Sequence, residues 1–287
     1  MSDQPEGGPA PAQVPVCPRH PDRVSYVRCQ RCGRPTCAEC QRPAAVGIHC
    51  VDCVREASRA APQVRTAMGA PIRRGRPVVT LTIIGLCLAS FVLQLTVGGS
   101  WTSAWAFAPF LGQVEPWRFL TAAFLHSTGA LFHILFNMYA LWLVGPYLEH
   151  QLGRARFITL YLLAAVGGSV GFLLFASPLD GSWFTAVVGA SGAVFGLFGA
   201  VLVVLRRLGG DARQILVLLA INGVIGFVVP GIAWEAHLGG LLVGAGLGAA
   251  FSYAPRDRRP LVGIVAPVVV AAILLSLTLL KFATVPA

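Results

Sequence analysis

Four polar side chains in apolar surroundings have types and spacings that could perform acyl-transfer chemistry. Ser191 lies in a Gly-Ala-Ser-Gly segment, and His237 lies in an Ala-His-Leu-Gly-Gly segment further along the chain. A serine hydroxyl becomes a nucleophile when a neighbouring base such as histidine removes its proton. His133 and Asn137 are four residues apart, so they share one helical face and could donate hydrogen bonds to an oxyanion. Taken singly, the glycine-rich segment is also typical of close helix packing, and a lone membrane histidine is often structural.

A second group of chemically active residues lies near the start of the chain. Seven of the eight cysteines fall between positions 17 and 53, and with one histidine they form four closely spaced pairs. The pairs are Cys17 with His20, Cys29 with Cys32, Cys37 with Cys40, and Cys50 with Cys53. Each spacing lets two side chains reach one tetrahedral ion, so eight ligands predict two zinc ions. His49 adjoins the last pair and could replace Cys50 as a ligand.

We expect this zinc to be structural. No open coordination position is evident, and a segment this short cannot build a hydrophobic core of its own. A disulfide framework is the alternative, but seven cysteines cannot all pair, and the topology predicted below leaves them in a reducing cytoplasm. We expect no cofactor in the catalytic chemistry, and the sequence does not name the partner of this zinc-binding segment.

The composition excludes an ordinary soluble domain. Apolar residues make up 55% of the 287 residues and charged residues 12%, against roughly 45–50% and 25% in soluble domains. The mean hydropathy of +0.70 therefore predicts an all-α polytopic membrane protein embedded in a lipid bilayer. The net charge of +10 could suggest a nucleic-acid partner. We expect none, because the positions of the basic residues are explained by membrane topology.

Seven apolar stretches are each close to the ~20 residues needed to cross a ~30 Å hydrocarbon core. We place the predicted spans at 78–97, 129–148, 155–176, 186–205, 212–230, 234–254 and 261–281. Twelve basic residues lie in the preceding linker and in alternate connections, whereas only Arg118 and Lys281 lie on the other side. This bias predicts a cytoplasmic N-terminus and an external C-terminus.

The composition also predicts how the chain is divided. The parts are a disordered tail at 1–16, a small cytoplasmic zinc-binding domain at 17–56, a linker at 57–76, a six-helix membrane core at 77–255, and a seventh transmembrane helix within 256–287. We expect no signal peptide, because the start has neither a charged n-region nor an apolar h-region.

The spans that carry the four polar side chains all enter from the predicted outer face. Counted from the predicted starts, His133 lies about four residues in, Asn137 about eight, Ser191 about five and His237 about three. At about 1.5 Å per residue, all four lie roughly 5–12 Å below the outer surface. Glycines at small-xxx-small spacing on the fourth and sixth spans would let those two helices touch. The shared depth favours a nucleophile with its base.

These residues resemble the motifs of the rhomboid family of intramembrane serine proteases over roughly residues 78–255. The motifs are Gly189-x-Ser191-Gly192, Ala236-His237-x-x-Gly240-x-x-x-Gly244, His126 followed by His133-x-x-x-Asn137, Trp117-Arg118, and Leu148-Glu149 with Gly153. The resemblance implies a six-helix core with one extra helix. It implies that Ser191 is the nucleophile and His237 the general base. It further implies an oxyanion hole formed by His133, Asn137 and the backbone N–H of Ser191.

The resemblance has further implications. Phe195 falls where some members carry a tyrosine that packs on the catalytic histidine, and no carboxylate is placed to orient His237, so we expect a dyad. Substrates would be single-pass or other transmembrane proteins, in the plasma membrane of a bacterium. The cysteine-rich segment resembles B-box-type zinc fingers, whose interleaved sites imply one ion held by Cys17, His20, Cys37 and Cys40 and a second held by Cys29, Cys32, Cys50 and Cys53.

Two other classes of function stay open at this point. One is an inactive rhomboid-like protein that binds client transmembrane helices, although such proteins usually lack the serine or the histidine, and both are present. The other is a zinc-sensing or exporting transporter, which would need carboxylate or histidine ligands at the bilayer midplane. The predicted spans have almost none there.

Overall fold

The computed structural model describes residues 14–61, 64–72 and 75–285. The chain forms two compact units, Met1–Gln63 and Val64–Ala287, which are described separately below. Most of the predicted disordered tail lies outside the described residues, as do Arg73 and Arg74 of the predicted linker.

The first unit, called the head below, contains two short antiparallel strand pairs and one helix. Strand β1 (Val16–Cys17) pairs with β2 (His20–Val24), and β3 (Gln41–Pro43) pairs with β4 (Ile48–Cys50). A 3-10 turn at Ala38–Cys40 precedes β3. Helix α1 (Val51–Ala60) starts directly after Cys50, whose sulfur accepts a hydrogen bond from the Cys53 N–H at 3.4 Å. A sulfur therefore acts as the N-cap of this helix.

The second unit is helical, and most of its helices are long and apolar. Its helices are α2 (Val78–Thr96), α3 (Gly99–Trp105), α4 (Pro109–Gly112), α5 (Arg118–Thr121), α6 (Leu131–Leu152), α7 (Arg154–Phe175), α8 (Ser191–Leu208), α9 (Arg213–Val228), α10 (Trp234–Tyr253) and α11 (Arg259–Thr284). Six of them, all but α3, α4, α5 and α9, are long and apolar enough to cross a membrane. The prediction of a mostly helical integral membrane protein is confirmed. The head adds strands that the all-α prediction did not include.

Two observed helices differ from the predicted spans. The predicted span 212–230 contains α9, which has only 16 residues and ends at Val228. Pro230 follows closely, and the residue before a proline disfavours the helical conformation. The predicted span 186–205 starts too early, because α8 begins at Ser191. The preceding residues are extended, and Val187 exchanges backbone hydrogen bonds of 3.2 and 2.7 Å with Phe107.

Glycines bring α7, α8 and α10 into backbone contact. A side chain on Gly240 would coincide with the carbonyl of Gly192, and a side chain on Gly244 would coincide with the backbone of Gly196. On the other side of α10, Gly239 lies equally close to Gly167 of α7. Because every added carbon here would displace a backbone, these positions hold α8 and α10 at one fixed distance.

A buried carboxylate fixes the start of α2. Glu149, near the end of α6, is 6% exposed and accepts hydrogen bonds from the N–H groups of Val79 and Thr80 at 3.1 and 2.9 Å. The Thr80 hydroxyl also donates to it, and Arg154 lies 3.6 Å away. The first N–H groups of a helix have no partner within the helix, so this carboxylate caps α2 from a neighbouring helix.

Candidate active site

The site centres on a hydrogen bond between the first turns of α8 and α10. The Nε2 atom of His237 lies 2.9 Å from the Oγ atom of Ser191. Ser191 is the first residue of α8 and His237 the fourth of α10, and both are half-buried. The glycine contacts between these two helices explain how a short serine side chain can reach the imidazole.

An aromatic ring stacks on the imidazole of His237. The rings of Phe195 and His237 are stacked, with centroids 4.2 Å apart and planes 8° from parallel. Phe195 is one turn after Ser191 on α8, so the helix that carries the hydroxyl also carries the surface on which the imidazole rests.

His133 lies on α6 and faces the same space from the opposite side. Its Nδ1 atom accepts a hydrogen bond from the Ser127 N–H at 3.2 Å. A nitrogen that accepts carries no proton, so the proton of a neutral imidazole must sit on Nε2. A side-chain carbon added to Gly189 would lie 2.7 Å from this Nε2 atom and 3.5 Å from the Oγ atom of Ser191. The His133 N–H therefore faces the space beside the Ser191 hydroxyl.

Gly189 keeps that space open. Its φ of +136° lies in a region that favours glycine, and the chain turns there from the extended residues into α8. The Gly189 N–H donates to the Ala122 carbonyl at 3.0 Å, which fixes the turn. Because Ser191 starts α8, its backbone N–H is one of the helix N-terminal groups without an intrahelical partner, and such groups attract negative charge.

Asn137 and His126 are placed differently from the other predicted residues. The Asn137 amide donates to the carbonyl of His133 at 2.8 Å, one turn back on α6, and its second N–H is available to another acceptor. His126 is fully buried, and its ring packs edge-on against His133 with centroids 5.4 Å apart. His126 therefore touches an oxyanion-donor candidate and is not placed beside Ser191.

Sequence reasoning missed one polar residue at this site. Gln94 near the end of α2 is 3% exposed and holds the His126 peptide through both ends of its amide. A single glutamine in an otherwise apolar run is a signal that could have identified it, because a polar group in lipid must find partners.

The head brings its eight candidate ligands into two groups. Cys17, His20, Cys37 and Cys40 form one group, and Cys29, Cys32, Cys50 and Cys53 form the other, with the ligand atoms of each group within 4.8 Å of one another. This is the grouping that the likeness to B-box fingers implies. Within the described residues His49 belongs to neither group.

The distances within these groups suit a zinc-sized ion. Tetrahedral Zn–S bonds of about 2.3 Å place two sulfurs about 3.8 Å apart, and the sulfurs of Cys32 and Cys50 are 3.8 Å apart. His20 directs Nδ1 at Cys37 and Cys40, with N to S distances of 3.2 and 3.5 Å. A hydrogen bond from the Cys37 N–H lowers the pKa of Cys17 to about 6, whereas burial raises the pKa of Cys40 to about 11. A bound cation would deprotonate both thiols.

Comparison with known proteins finds relatives of this part of the chain. Residues 113–254 match the family model of the Rhomboid domain. The chain is 35% identical over 194 residues to the rhomboid protease GluP of Bacillus subtilis (strain 168), which covers 63% of this chain and 36% of that protein. It is 31% identical over 175 residues to the rhomboid protease GlpG of Yersinia pestis (strain Pestoides F), covering 58% of this chain and 60% of that protein.

The chain contains a Rhomboid domain, as its motifs predict. It spans less than two thirds of the length of either relative. The matched domain includes Ser191, His237, His133 and Asn137, and it does not include the head.

Proposed function

We propose that this protein is an intramembrane serine endopeptidase that hydrolyses peptide bonds in or near the transmembrane segments of membrane proteins. The observation that carries the proposal is the 2.9 Å contact between Ser191 Oγ and His237 Nε2. This distance is within the range required for direct proton transfer from a nucleophile to its base. The match to the Rhomboid domain supports the same reaction.

The reaction proceeds in two halves. Ser191 Oγ attacks the peptide carbonyl carbon while His237 Nε2 takes the hydroxyl proton, and the carbonyl oxygen becomes an oxyanion. That oxyanion accepts hydrogen bonds from the His133 Nε2–H and the Ser191 backbone N–H, with Asn137 supplying a further donor. The C–N bond then breaks as His237 returns the proton to the leaving amine. Water deprotonated by His237 attacks the acyl-enzyme, and the proton finally returns to Ser191.

The position of the dyad defines which peptide bonds can be cut. Ser191 and His237 both lie in the first turn of their helices, so the site is near one membrane surface. A helical substrate has its carbonyls hydrogen-bonded, so it must unwind locally to be attacked. The arginine bias of the connections supports an external position for this end, with the head in the cytoplasm. We take the membrane to be the plasma membrane of a bacterium.

The head is proposed to hold two structural zinc ions. Its two groups of four ligands have the sulfur and nitrogen donors that zinc prefers, at distances that fit tetrahedral coordination. The buried residues of the described head are mostly these cysteines, so bound metal would replace the hydrophobic core that so small a unit lacks.

An inactive client-binding role has less support. Both reactive side chains are present and in contact, whereas a protein that only binds helices has no need of that contact.

The test is cleavage by the purified full chain of single-span substrates in detergent or bilayers. Ser191→Ala should abolish it, and a phosphonate that reacts with activated serines should label wild type but not the variant. Ser276→Ala, at an exposed serine of α11, is the matched control and should cleave like wild type. Cleavage that survives in Ser191→Ala would contradict the proposal.

A further inference from the structure

Gln94 makes three hydrogen bonds to groups outside its own helix. Its Nε2 donates to the carbonyl of His126 at 2.9 Å and to the hydroxyl of Thr102 at 3.0 Å. Its Oε1 accepts from the N–H of the same His126 at 2.9 Å. A backbone carbonyl can only accept and a backbone N–H can only donate, so the orientation of the Gln94 amide is unambiguous.

The segment whose backbone Gln94 holds at His126 also contacts His133, the candidate oxyanion donor. The N–H of the following residue, Ser127, donates to Nδ1 of His133. The His126 ring packs edge-on against the His133 ring. Both the hydrogen bond and the ring contact on His133 therefore come from the short segment that Gln94 fixes.

The bond from Ser127 determines which nitrogen of His133 can donate. If Ser127 moved away, the proton of His133 could occupy either nitrogen, and a fraction of the rings would present a bare Nε2 to the oxyanion. With Ser127 in place, Nδ1 is the acceptor and Nε2–H is the donor. Only the tautomer with its proton on Nε2 can stabilise a developing negative charge beside Ser191.

From this arrangement we infer that Gln94 is a positioning residue for the proposed protease reaction, holding His133 in the tautomer and orientation that donate to the oxyanion. The inference rests on the proposed function, because it concerns the rate of that reaction. Gln94 acts through His126, Ser127 and His133, and it does not touch the substrate. A merely structural role for Gln94 would alter stability and leave the His133 tautomer and the turnover number unchanged.

The test uses the full-length protein in detergent micelles and a fluorogenic single-span peptide with alanine before the scissile bond. Gln94→Met has nearly the same shape and removes all three hydrogen bonds. We expect kcat to fall about 10- to 100-fold, because a misplaced donor costs that much in the transition state, while KM stays close to wild type. Gln94→Asn keeps an amide that is one methylene shorter, so it cannot reach both backbone groups of His126, and kcat should fall in the same direction.

Two control variants separate the His126 contact from other bonds of α2. Thr102→Val removes only the bond to α3. Ser90→Ala removes the 3.2 Å bond from Trp101, one turn earlier on α2. Both should retain wild-type kcat. Circular dichroism and thermal unfolding report whether each variant is folded.

The second readout is ¹⁵N NMR of the imidazole nitrogens, with the His133 signals assigned by their loss in His133→Ala. Wild type should show a proton-free Nδ1 and a protonated Nε2, and Gln94→Met should show a mixture. Wild-type kcat in a folded Gln94→Met or Gln94→Asn, or an unchanged His133 tautomer, would overturn the inference. If Gln94→Met does not fold, Gln94→Asn decides the question. A wild-type protein that never cleaves would refute the proposed function instead, and the NMR signals would still test the role of Gln94.

Discussion

The imidazole of His237 lies flat against the ring of Phe195, with 4.2 Å between centroids and 8° between planes. The same helix presents Ser191 to this imidazole, so one rigid element sets both the distance and the tilt of the base. In rigid helices such an arrangement limits how far the proposed base can move between the two halves of the proposed reaction.

This relationship predicts the behaviour of two substitutions at Phe195. Phe195→Leu removes the flat surface, so the imidazole can rotate away from Ser191 and kcat should fall about tenfold or more. Phe195→Tyr keeps the stacked ring and should retain most of the activity. Phe157→Leu, at a buried aromatic residue of α7, is the control for lost volume: it should lower the unfolding temperature and leave kcat unchanged. Steady-state cleavage assays distinguish these outcomes, and equal rates for Phe195→Leu and Phe195→Tyr would disprove the supporting role.

Gly189→Ala should inactivate the protein without unfolding it. A methyl group there would lie 2.7 Å from His133 Nε2, and the backbone φ of +136° is unfavourable for alanine. The methyl group would fill the space into which the substrate carbonyl must enter. Gly181→Ala, where nothing lies within 4 Å of the added carbon, should cleave normally. Cleavage assays beside circular dichroism measure the contrast, and an active Gly189→Ala would place the oxyanion elsewhere.

Two glycines on α10 should respond in opposite directions to the same substitution. Gly244→Ala would force the added carbon into the backbone of Gly196, at a cost of about 1–3 kcal/mol for overpacking. Gly246→Ala meets open space and should be neutral or stabilising by up to about 1 kcal/mol, because alanine favours the helix. Thermal unfolding in detergent measures both. If the two variants unfolded at the same temperature, the tight contact between α8 and α10 would be refuted.

Elemental analysis of the purified full chain should find about two zinc ions per molecule, because each group of four ligands fills one tetrahedral site. Cys37→Ser should reduce the zinc content of the first group, whereas His49→Ala should leave both ions bound. Extraction with a strong chelator should unfold the head and leave basal cleavage largely intact, because the proposed reaction uses only serine and histidine chemistry. A metal content near zero, or a head equally folded after extraction, would count against the zinc proposal.

Substrates should be cut close to the membrane surface nearest the dyad, at a small residue such as alanine. A side-chain carbon added to Gly189 would lie close to both His133 and Ser191, so there is little room beside the proposed nucleophile. The substrate helix must also unwind there. Replacing a glycine or proline downstream of the cut by leucine should slow cleavage, and so should replacing the small residue by phenylalanine. Mass spectrometry of the products maps the cut. Cuts at the far end of the substrate span, or indifference to both replacements, would argue against this mode of access.

Much of the fold follows from apolar content alone, but its boundaries do not. Six of the predicted spans overlap long apolar helices, because about 20 apolar residues with few charges have few alternatives in a bilayer. The start of α8 could not be predicted in the same way. Residues 186–190 are nearly as apolar as the helix that follows, yet Val187 pairs with Phe107, some 80 positions earlier in the chain. The mean hydropathy of a stretch of consecutive residues contains no information about such a distant partner.

The sequence likewise predicts some residues of the candidate site and not others. Ser191, His237 and His133 could be proposed from residue type, shared depth and family motifs. The role we infer for Gln94 depends on hydrogen bonds to the His126 backbone, 32 positions away, and backbone groups carry no sequence signature. The seven-residue separation of His126 from His133 also gave no indication that their rings would touch.

The length of α9 has a consequence for the surrounding lipid. Because Ser191 and His237 meet, α8 and α10 start at the same level. The segment that contains α9 must therefore run from the end of α8 back to the start of α10. The 16 residues of α9 extend only about 24 Å, less than the ~30 Å hydrocarbon thickness of an ordinary bilayer. We therefore expect lipids beside α9 to compress their acyl chains, at a cost of a fraction of a kcal/mol per Å. On this expectation the protein should partition toward bilayers of shorter acyl chains.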